Sequence, residues 1–132
     1  MNYLIDTNVV GELARPRPDA GVLAWADSVG AVGISVVTVE EIFFGLAWKP
    51  HPRIEAWLDG FLTSFCEFLP VTASIARHAG KLRGQQQANG ITRTQADMLI
   101  AATGAAHGLT VVTRNEKDFQ GCGVPVLNPF TE

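Results

Sequence analysis

Short apolar runs alternate with longer segments of helical periodicity along the whole chain. The runs predict strands, and the segments between them, where apolar residues recur every three or four positions, predict helices. Short apolar strands separated by helices are typical of a parallel sheet covered on both faces. We therefore predict an α/β fold, in which ligands bind beyond the carboxyl ends of the strands. The predicted strands are residues 3–5, 33–36, 67–71 and 109–112, with a candidate fifth at 124–127.

Capping patterns predict where several helices begin and end. Thr38 followed by Glu41 matches a capping box, with Thr38 at the N-cap and Glu41 at the third helical position. The sequence T-R-T-Q at 92–95 matches a second box, Asp19 is an expected N-cap, and Gly108 is an expected left-handed C-terminal cap. The first four predicted helices are residues 9–14, 19–28, 38–48 and 54–65. A fifth begins at residue 72 or 74 and fades in the polar stretch after residue 84, and a sixth runs from the second capping box to residue 107. A turn or short helix is predicted at 113–119.

The composition is that of a folded globular domain. Of 132 residues, 47% are hydrophobic and only 17% are charged, so we predict a single domain, residues 1–132. No apolar stretch approaches the roughly 20 residues that span a bilayer, and no signal peptide is recognisable, so no membrane partner is expected. Cys66 and Cys122 form neither a disulfide framework nor a metal-ligand spacing, which favours a reduced, cytoplasmic protein.

Four acidic residues lie near the ends of the predicted strands. Asp6 directly follows the first strand, and Glu41 lies one turn into the helix after the second. Asp118 follows the fourth strand, and Asp97 lies early in the largely apolar helix that precedes it, so its place at the same end depends on how that helix packs. Since the carboxyl ends of parallel strands meet at one edge of a sheet, we expect these side chains to converge. A ring of carboxylates suits Mg²⁺ or Mn²⁺.

Each acid also has a purely structural interpretation, which the sequence leaves open. Asp6 can simply cap the following helix, and Glu41 can serve the capping box. Asp97 can pair with an arginine such as Arg93. Asp118 can be a solvated turn residue.

Other chemistries find less support in the sequence. The three histidines, at 51, 78 and 107, lack a zinc-ligand spacing, and no glycine-rich phosphate loop follows a strand. The net charge of −3 argues against nucleic-acid binding, but with four acids set aside for cations the balance is ten basic against nine acidic residues. An aspartate-dependent phosphohydrolase is disfavoured, because position 8 carries Asn8 where that class has a second aspartate.

Four segments together resemble the PIN-domain family, specifically the VapC-type toxin ribonucleases. They are L-I-D-T-N-V-V at 4–10, S-V-V-T-V-E-E-I-F-F-G at 35–45, A-D-M-L-I-A-A-T at 96–103 with H-G-L at 107–109, and V-T-R-N-E-K-D-F at 112–119. The closing L-N-P-F at 127–130 is similar to the FitB-like branch, whose toxins pair with DNA-binding antitoxins of the FitA type.

The resemblance implies a three-layer α/β/α sandwich with a short central parallel sheet. It also implies an Mg²⁺- or Mn²⁺-dependent endoribonuclease, the toxin of a type II toxin–antitoxin system, that hydrolyses RNA phosphodiester bonds. A homodimer is implied, neutralised by a cognate and small DNA-binding antitoxin, with a higher assembly on operator DNA. A catalytically weak or degenerate PIN module that acts through metal and partner binding is the alternative.

The resemblance assigns the catalytic and metal-binding roles to Asp6, Glu41, Asp97 and Asp118. Glu41 fits the motif better than Glu40, which we expect to be solvated. The fourth position is open between Asp118 and Asn115, because some members carry an aspartate where this chain has Asn115. The residues expected to hold the carboxylates or face substrate are Thr7, Asn8, Thr38, Thr113, Arg114 and Asn115.

Basic and aromatic residues raise two further expectations. Arg114 lies inside the motif, and Lys117, Arg93, Arg15 and Arg17 are further candidates to line an RNA path or to be solvated charges. The chain also has more large apolar residues than one small core helix pair usually needs. We expect them to pack in the core or, failing that, to form a dimer interface or a groove for an antitoxin helix. This apolar surplus consists of Ile42, Phe43, Phe44, Leu46, Trp48, Trp57 and Phe61.

Overall fold

A five-stranded parallel sheet lies at the centre of the computed structural model, which describes residues 1–131. Its strands are β1 (Tyr3–Ile5), β2 (Val32–Ser35), β3 (Cys66–Leu69), β4 (Thr110–Val112) and β5 (Val126–Leu127). They lie in the order β3-β2-β1-β4-β5, and every neighbouring pair is parallel. The predicted α/β class is confirmed. Glu132, the last residue of the predicted domain, lies outside the described residues.

Helices cover both faces of this sheet, which confirms the three-layer α/β/α arrangement. Alternation along the strands divides the core: Leu4 points into one apolar cluster and Ile5 into the other, and Val111 and Val112 repeat this division. Across residues 1–131, none of the helices combines the length and apolar character needed to cross a bilayer. The helices are α1 (Thr7–Leu13), α2 (Ala20–Ser28), α3 (Val36–Trp48), α4 (Pro52–Phe65), α5 (Ala73–Ala88) and α6 (Gln95–His107), with a 3₁₀ helix at Glu116–Phe119.

Both predicted capping boxes are wrong in register. Helix α3 begins directly after β2, and Ser35 is its N-cap, accepting a hydrogen bond from the Val37 N–H at 3.0 Å. Thr38 therefore lies inside the first turn, fully buried, and its hydroxyl has no hydrogen-bond partner among the described residues. Helix α6 is capped by Thr94, two residues later than predicted. In each case the cap is the hydroxyl residue directly before the first helical residue, and the pattern alone does not identify it.

Other helix ends agree more closely with the sequence. Asp19 caps α2, and Gly108 ends α6 in the left-handed conformation at φ 64°. Helix α1 begins at Thr7 rather than at residue 9, because Asp6 is its N-cap. Helix α4 begins at Pro52, since proline is tolerated in the first turn, where its missing N–H is not needed.

The strand order reverses at β1. The chain moves outward from β1 through β2 to β3, then returns to the other side of β1 for β4 and β5. A crevice forms beyond the carboxyl ends of the strands at such a reversal. Asp6 follows β1 there, and Thr113 follows its neighbour β4. The topology therefore brings together two sequence segments that lie about a hundred residues apart.

Candidate active site

Asp6 lies at the centre of this crevice with only 6% of its surface exposed. Its Oδ1 accepts a hydrogen bond from the Thr7 N–H at 2.8 Å, which caps α1. Its Oδ2 accepts from the Thr113 hydroxyl at 2.9 Å and from Asn8 Nδ2 at 3.2 Å. Capping through Oδ1 therefore does not exclude a further role for Oδ2. Burial raises the pKa of Asp6, the three donors lower it, and the nearby Asp118 raises it further.

The Thr113 hydroxyl links the segment after β1 to the segment after β4. It is fully buried, donates to Asp6, and accepts from Asn8 Nδ2 and from the Asn115 N–H, each at 3.1 Å. A hydroxyl offers one hydrogen to donate and two lone pairs, so all of its capacity is used. Asn8 Oδ1 accepts from the Arg114 N–H at 3.0 Å, which ties the loop after β4 to the start of α1.

Glu41 lies two turns into α3, beyond reach of the cap at Ser35. Its Oε1 instead accepts a hydrogen bond from the Thr7 hydroxyl at 3.0 Å, across to α1. Burial raises the pKa of Glu41, with smaller contributions from the charges of Asp6 and Glu40, and the Thr7 bond opposes it. Glu40 is exposed, as expected. The capping-box role for Glu41 is excluded by this geometry.

Asp97 lies in the first turn of α6, where its N–H donates to the Thr94 hydroxyl at 3.1 Å. A helix N-terminus favours a carboxylate, yet the pKa of Asp97 is raised to about 6. Burial is the largest cause; Thr94 opposes it, and the charges of Asp6, Asp118 and Glu41 add to it. The alternative partner Arg93 bonds elsewhere, so the predicted structural pairing is wrong.

Asp118 lies close enough to two of the other acids for its charge to raise their pKa values. Its charge acts on both Asp6 and Asp97, from the 3₁₀ helix that follows β4. Asn115 is exposed, its N–H bonds to Thr113, and its side chain makes no capping bond to the 3₁₀ helix.

Four carboxylates from separate elements thus repel one another at the carboxyl end of the sheet. Within residues 1–131, no arginine, lysine or histidine forms an ion pair with any of them, since the ion pair found joins Arg15 to Glu12. The donor set is entirely oxygen, which suits a hard divalent cation. No group of three acidic, histidine or cysteine side chains in the described range is already gathered closely enough to bind a metal. Direct coordination by three of them therefore requires side-chain rotation or bridging water.

The family model of the PIN domain matches residues 3–121. This chain belongs to the PIN-domain family. The VapC ribonuclease Y4jK of Sinorhizobium fredii is 34% identical, with 96% of each chain covered. The toxin FitB of Neisseria gonorrhoeae is 35% identical, with 96% of this chain and 97% of FitB covered. The solved structure of FitAB bound to an IR36 DNA fragment gives a TM-score of 0.81 at 33% identity, over 96% of this chain and 94% of that chain.

The basic residues around this PIN site have different surroundings. Arg15 pairs with Glu12, and the guanidinium of Arg114 lies over the Phe130 ring, 4.7 Å from its centroid. Arg93 donates to Gln86 and to two backbone carbonyls. Of the arginines expected to line an RNA path, Arg93 is therefore the one whose guanidinium donates three hydrogen bonds to other residues of the chain.

An apolar groove between α1, α3 and α4 opens beside the PIN site. It encloses about 250 Å³, and Thr7 and Glu41 are the polar residues of its wall. Part of the predicted apolar surplus faces solvent: Phe43, Phe44 and Trp48 are 45, 62 and 70% exposed. Core packing therefore does not account for all of it. The groove is lined by Thr7, Val10, Gly11, Ala14, Glu41, Ile42, Gly45, Leu46, Ile54, Trp57 and Leu58.

Two residues of the site region were missed by sequence reasoning. Thr94 caps α6 and touches Asp97, and the pattern T-x-x-D at 94–97 fits this cap as well as T-R-T-Q fits one at Thr92. Gln86 is buried at the end of α5 and accepts a hydrogen bond from Arg93. No local pattern identifies Gln86, because its partner Arg93 is seven residues away. The other two acceptors of Arg93, the carbonyls of Lys117 and Gln120, are more distant still.

Proposed function

We propose that this chain is a divalent-metal-dependent endoribonuclease and the toxin of a type II toxin–antitoxin pair. One observation carries the proposal: four carboxylates, none of which has a basic partner within residues 1–131, influence one another at the carboxyl end of the sheet. Clustered charges of one sign are costly in a half-buried site unless a cation binds among them. The ribonuclease activity named for Y4jK and the toxin role named for FitB support the same conclusion.

The acids divide into two pairs around the proposed cation. Asp6 and Asp97 are its main ligands, and Glu41 and Asp118 complete the site, partly through water. Mg²⁺ or Mn²⁺ bound there would supply the Lewis acidity that activates water and neutralises charge on a phosphodiester. Whether one or two ions bind is a matter for titration.

The neighbouring residues of this chain keep the acids ready for that role. Thr113 and Asn8 donate to Asp6, and Thr7 donates to Glu41, so these hydrogen bonds fix the orientations of the carboxylates and partly offset the burial that raises both pKa values. Thr38 is proposed to support the adjacent turn of α3. Arg114 and Lys117, in the loop after β4, attract the RNA backbone toward the crevice.

A cognate antitoxin is the proposed occupant of the groove between α1, α3 and α4. The groove is apolar along its length and reaches an acidic residue, Glu41, at its wall. An amphipathic helix that carries a basic side chain matches both features, and an arginine inserted among the carboxylates would block the site. A homodimer, an antitoxin that binds operator DNA, and a cytoplasmic location complete the proposal.

RNA cleavage tests the activity directly. The purified chain, incubated with total RNA and Mn²⁺ or Mg²⁺, is expected to give defined fragments that disappear with EDTA. Cleavage that continues in EDTA, or that survives Asp6→Asn, would contradict the proposed mechanism.

The groove is tested by filling it without changing the acids. A Cβ at Gly11 meets nothing within 4 Å, and the same holds for the exposed Gly60 on α4. We expect Gly11→Leu to fold and to resist neutralisation by the product of the neighbouring reading frame, while Gly60→Leu is neutralised normally. Equal neutralisation of both variants would place the antitoxin elsewhere.

A binding module without nuclease activity is the second candidate. It is favoured by Asn115 at the position where some family members have an acid, and by the spacing of the carboxylates. Such a module would show a Mn²⁺-dependent rise in melting temperature that Asp6→Asn abolishes, with no RNA cleavage at any metal concentration.

A further inference from the structure

Arg93 makes three hydrogen bonds, two of which go to the segment that carries Asp118. Its Nε donates to Gln86 Oε1, its Nη1 to the Lys117 carbonyl at 2.6 Å, and its Nη2 to the Gln120 carbonyl at 2.9 Å. One carbonyl precedes Asp118 by one residue and the other follows it by two. The guanidinium therefore spans the backbone on both sides of this acid.

The acceptor that orients Arg93 is itself fixed in the core. Gln86 is 8% exposed, and its Nε2 donates to Cys122 Sγ at 3.2 Å. Cys122 is 1% exposed and lies 3.8 Å from the Met98 sulfur on α6. The bonds thus join the end of α5 and the loop before α6 to the 3₁₀ helix.

We propose that Arg93 is a positioning residue for Asp118, which it orients by clamping the backbone at Lys117, in the 3₁₀ helix, and at Gln120, directly after it. This inference rests on the proposed metal-dependent function. The carboxylate of Asp118 accepts none of the hydrogen bonds found among the described residues, unlike that of Asp6, which accepts three. Its orientation therefore depends on the backbone that carries it.

The chemistry of the clamp requires arginine. A planar guanidinium presents N–H groups in a fixed fork and can bond three acceptors at once, whereas a lysine ammonium is a compact charge on a flexible stem. Arg93→Lys therefore keeps the charge and removes the fork. A residue that served only to attract RNA phosphate would tolerate this change, and a clamp would not.

Mn²⁺ titration calorimetry of the full chain tests the proposal without relying on activity. We expect Arg93→Lys to weaken Mn²⁺ binding about tenfold, as loss of an outer partner of a metal ligand does. In an Asp118→Asn background the same change is expected to have less than about a twofold effect, since the ligand it orients is already lost. Arg77→Lys, at an exposed arginine of α5, is the matched control and should leave binding unchanged.

Amide hydrogen exchange supplies the second readout. The Asp118 and Gln120 N–H groups bond to the Asn115 and Lys117 carbonyls, at 3.1 and 3.4 Å. In Arg93→Lys they should exchange about tenfold faster, while Val111 in β4, bonded to Pro125, keeps its rate. Weakened Mn²⁺ binding with unchanged exchange would overturn the inference, as would a full further loss in the Asp118→Asn background.

Two outcomes separate this inference from the function on which it rests. If the wild type binds no Mn²⁺, the proposed function is overturned, and the exchange rates alone decide whether Arg93 clamps the 3₁₀ helix. If Arg93→Lys does not fold, Gln86→Met replaces it, because methionine keeps the packing and removes one of the three acceptors. An intermediate, roughly threefold loss of Mn²⁺ affinity is then expected, and no loss would refute the clamp.

Discussion

The two halves of the carboxylate cluster are held in different ways. Asp6 and Glu41 accept hydrogen bonds directly from side chains and a backbone N–H supplied by Thr7, Asn8 and Thr113. Asp97 and Asp118 depend on the helices that carry them, capped by Thr94 in one case and clamped by Arg93 in the other. The first half is oriented atom by atom, and the second through its backbone.

This difference indicates which half can adapt when a cation or RNA binds. A carboxylate fixed by several charge-assisted hydrogen bonds has one favoured orientation, whereas one that accepts none can rotate about its side-chain torsions. We therefore expect the Asp6 half to provide a rigid reference and the Asp97 and Asp118 half to close on the ion.

Asp6→Asn is expected to have the largest effect, because it removes the carboxylate that three hydrogen bonds hold in place. RNA cleavage should fall by more than about 100-fold, the upper loss expected even for an outer partner of a metal ligand. The fold should survive, because asparagine also caps helices. Asp59→Asn, at an exposed aspartate of α4, is the control. Cleavage at the wild-type rate would remove Asp6 from the site.

Thr113→Val tests whether the rigid half depends on the shared hydroxyl. The change takes a donor from Asp6 and an acceptor from the Asn115 N–H, so stability should fall by roughly 1–3 kcal/mol in urea unfolding. Mn²⁺ affinity should fall by about tenfold. Thr103→Val is a matched control, since Thr103 is equally buried but bonds only to the Leu99 carbonyl within α6. Similar losses in both variants would show that burial matters and the network does not.

A comparison of Asp118→Asn with Asn115→Ala tests which of these two residues occupies the fourth position of the site. The charge of Asp118 acts on Asp6 and Asp97, so its loss should weaken Mn²⁺ binding by about tenfold. Asn115→Ala keeps the backbone N–H that bonds to Thr113 and should change binding by less than about twofold. The reverse ranking, measured by the same titration, would assign the fourth position to Asn115.

The smallest expected effect is the one that Asp97→Asn has on stability in the absence of metal; as a main ligand, Asp97 is also expected to be needed for cleavage. The pKa of Asp97 is raised to about 6 from an ordinary value near 3.8, so between these values the folded chain binds more protons than the unfolded chain. Stability therefore falls as the pH rises through this window, and the full cost is present above about pH 6. In EDTA at pH 7.5, Asp97→Asn should melt about 2–4 °C higher than the wild type.

The pH dependence provides the check on this prediction. The difference in melting temperature between Asp97→Asn and the wild type should shrink as the pH is lowered toward 4, where the wild-type carboxyl is protonated in the folded state. Asp27→Asn, at an exposed position of α2, should show no such trend. A difference that stays constant with pH would contradict the raised pKa.

Sequence patterns predicted the elements well and their exact starts poorly. The apolar runs at 3–5 and near 110 are strands as predicted, because burial on both faces selects wholly apolar segments. Thr38 and Thr92 were wrong as caps, because Ser35 and Thr94 lie nearer to the true helix starts. Two hydroxyl residues lie within three positions of each other at both helix starts, and only the path of the preceding strand or loop decides which one caps.

The sequence alone determined the α/β class, the PIN-type motifs, and the choice of Asp6, Glu41, Asp97 and Asp118 as candidates, because apolar periodicity and residue spacing are local properties. Tertiary structure decided the partners: Thr113 bonds to Asp6 from 107 positions away, and Arg93 turns from a candidate RNA contact into a clamp on Lys117 and Gln120. Hydrogen bonds between distant segments depend on how helices pack across a sheet, and no local pattern encodes that packing.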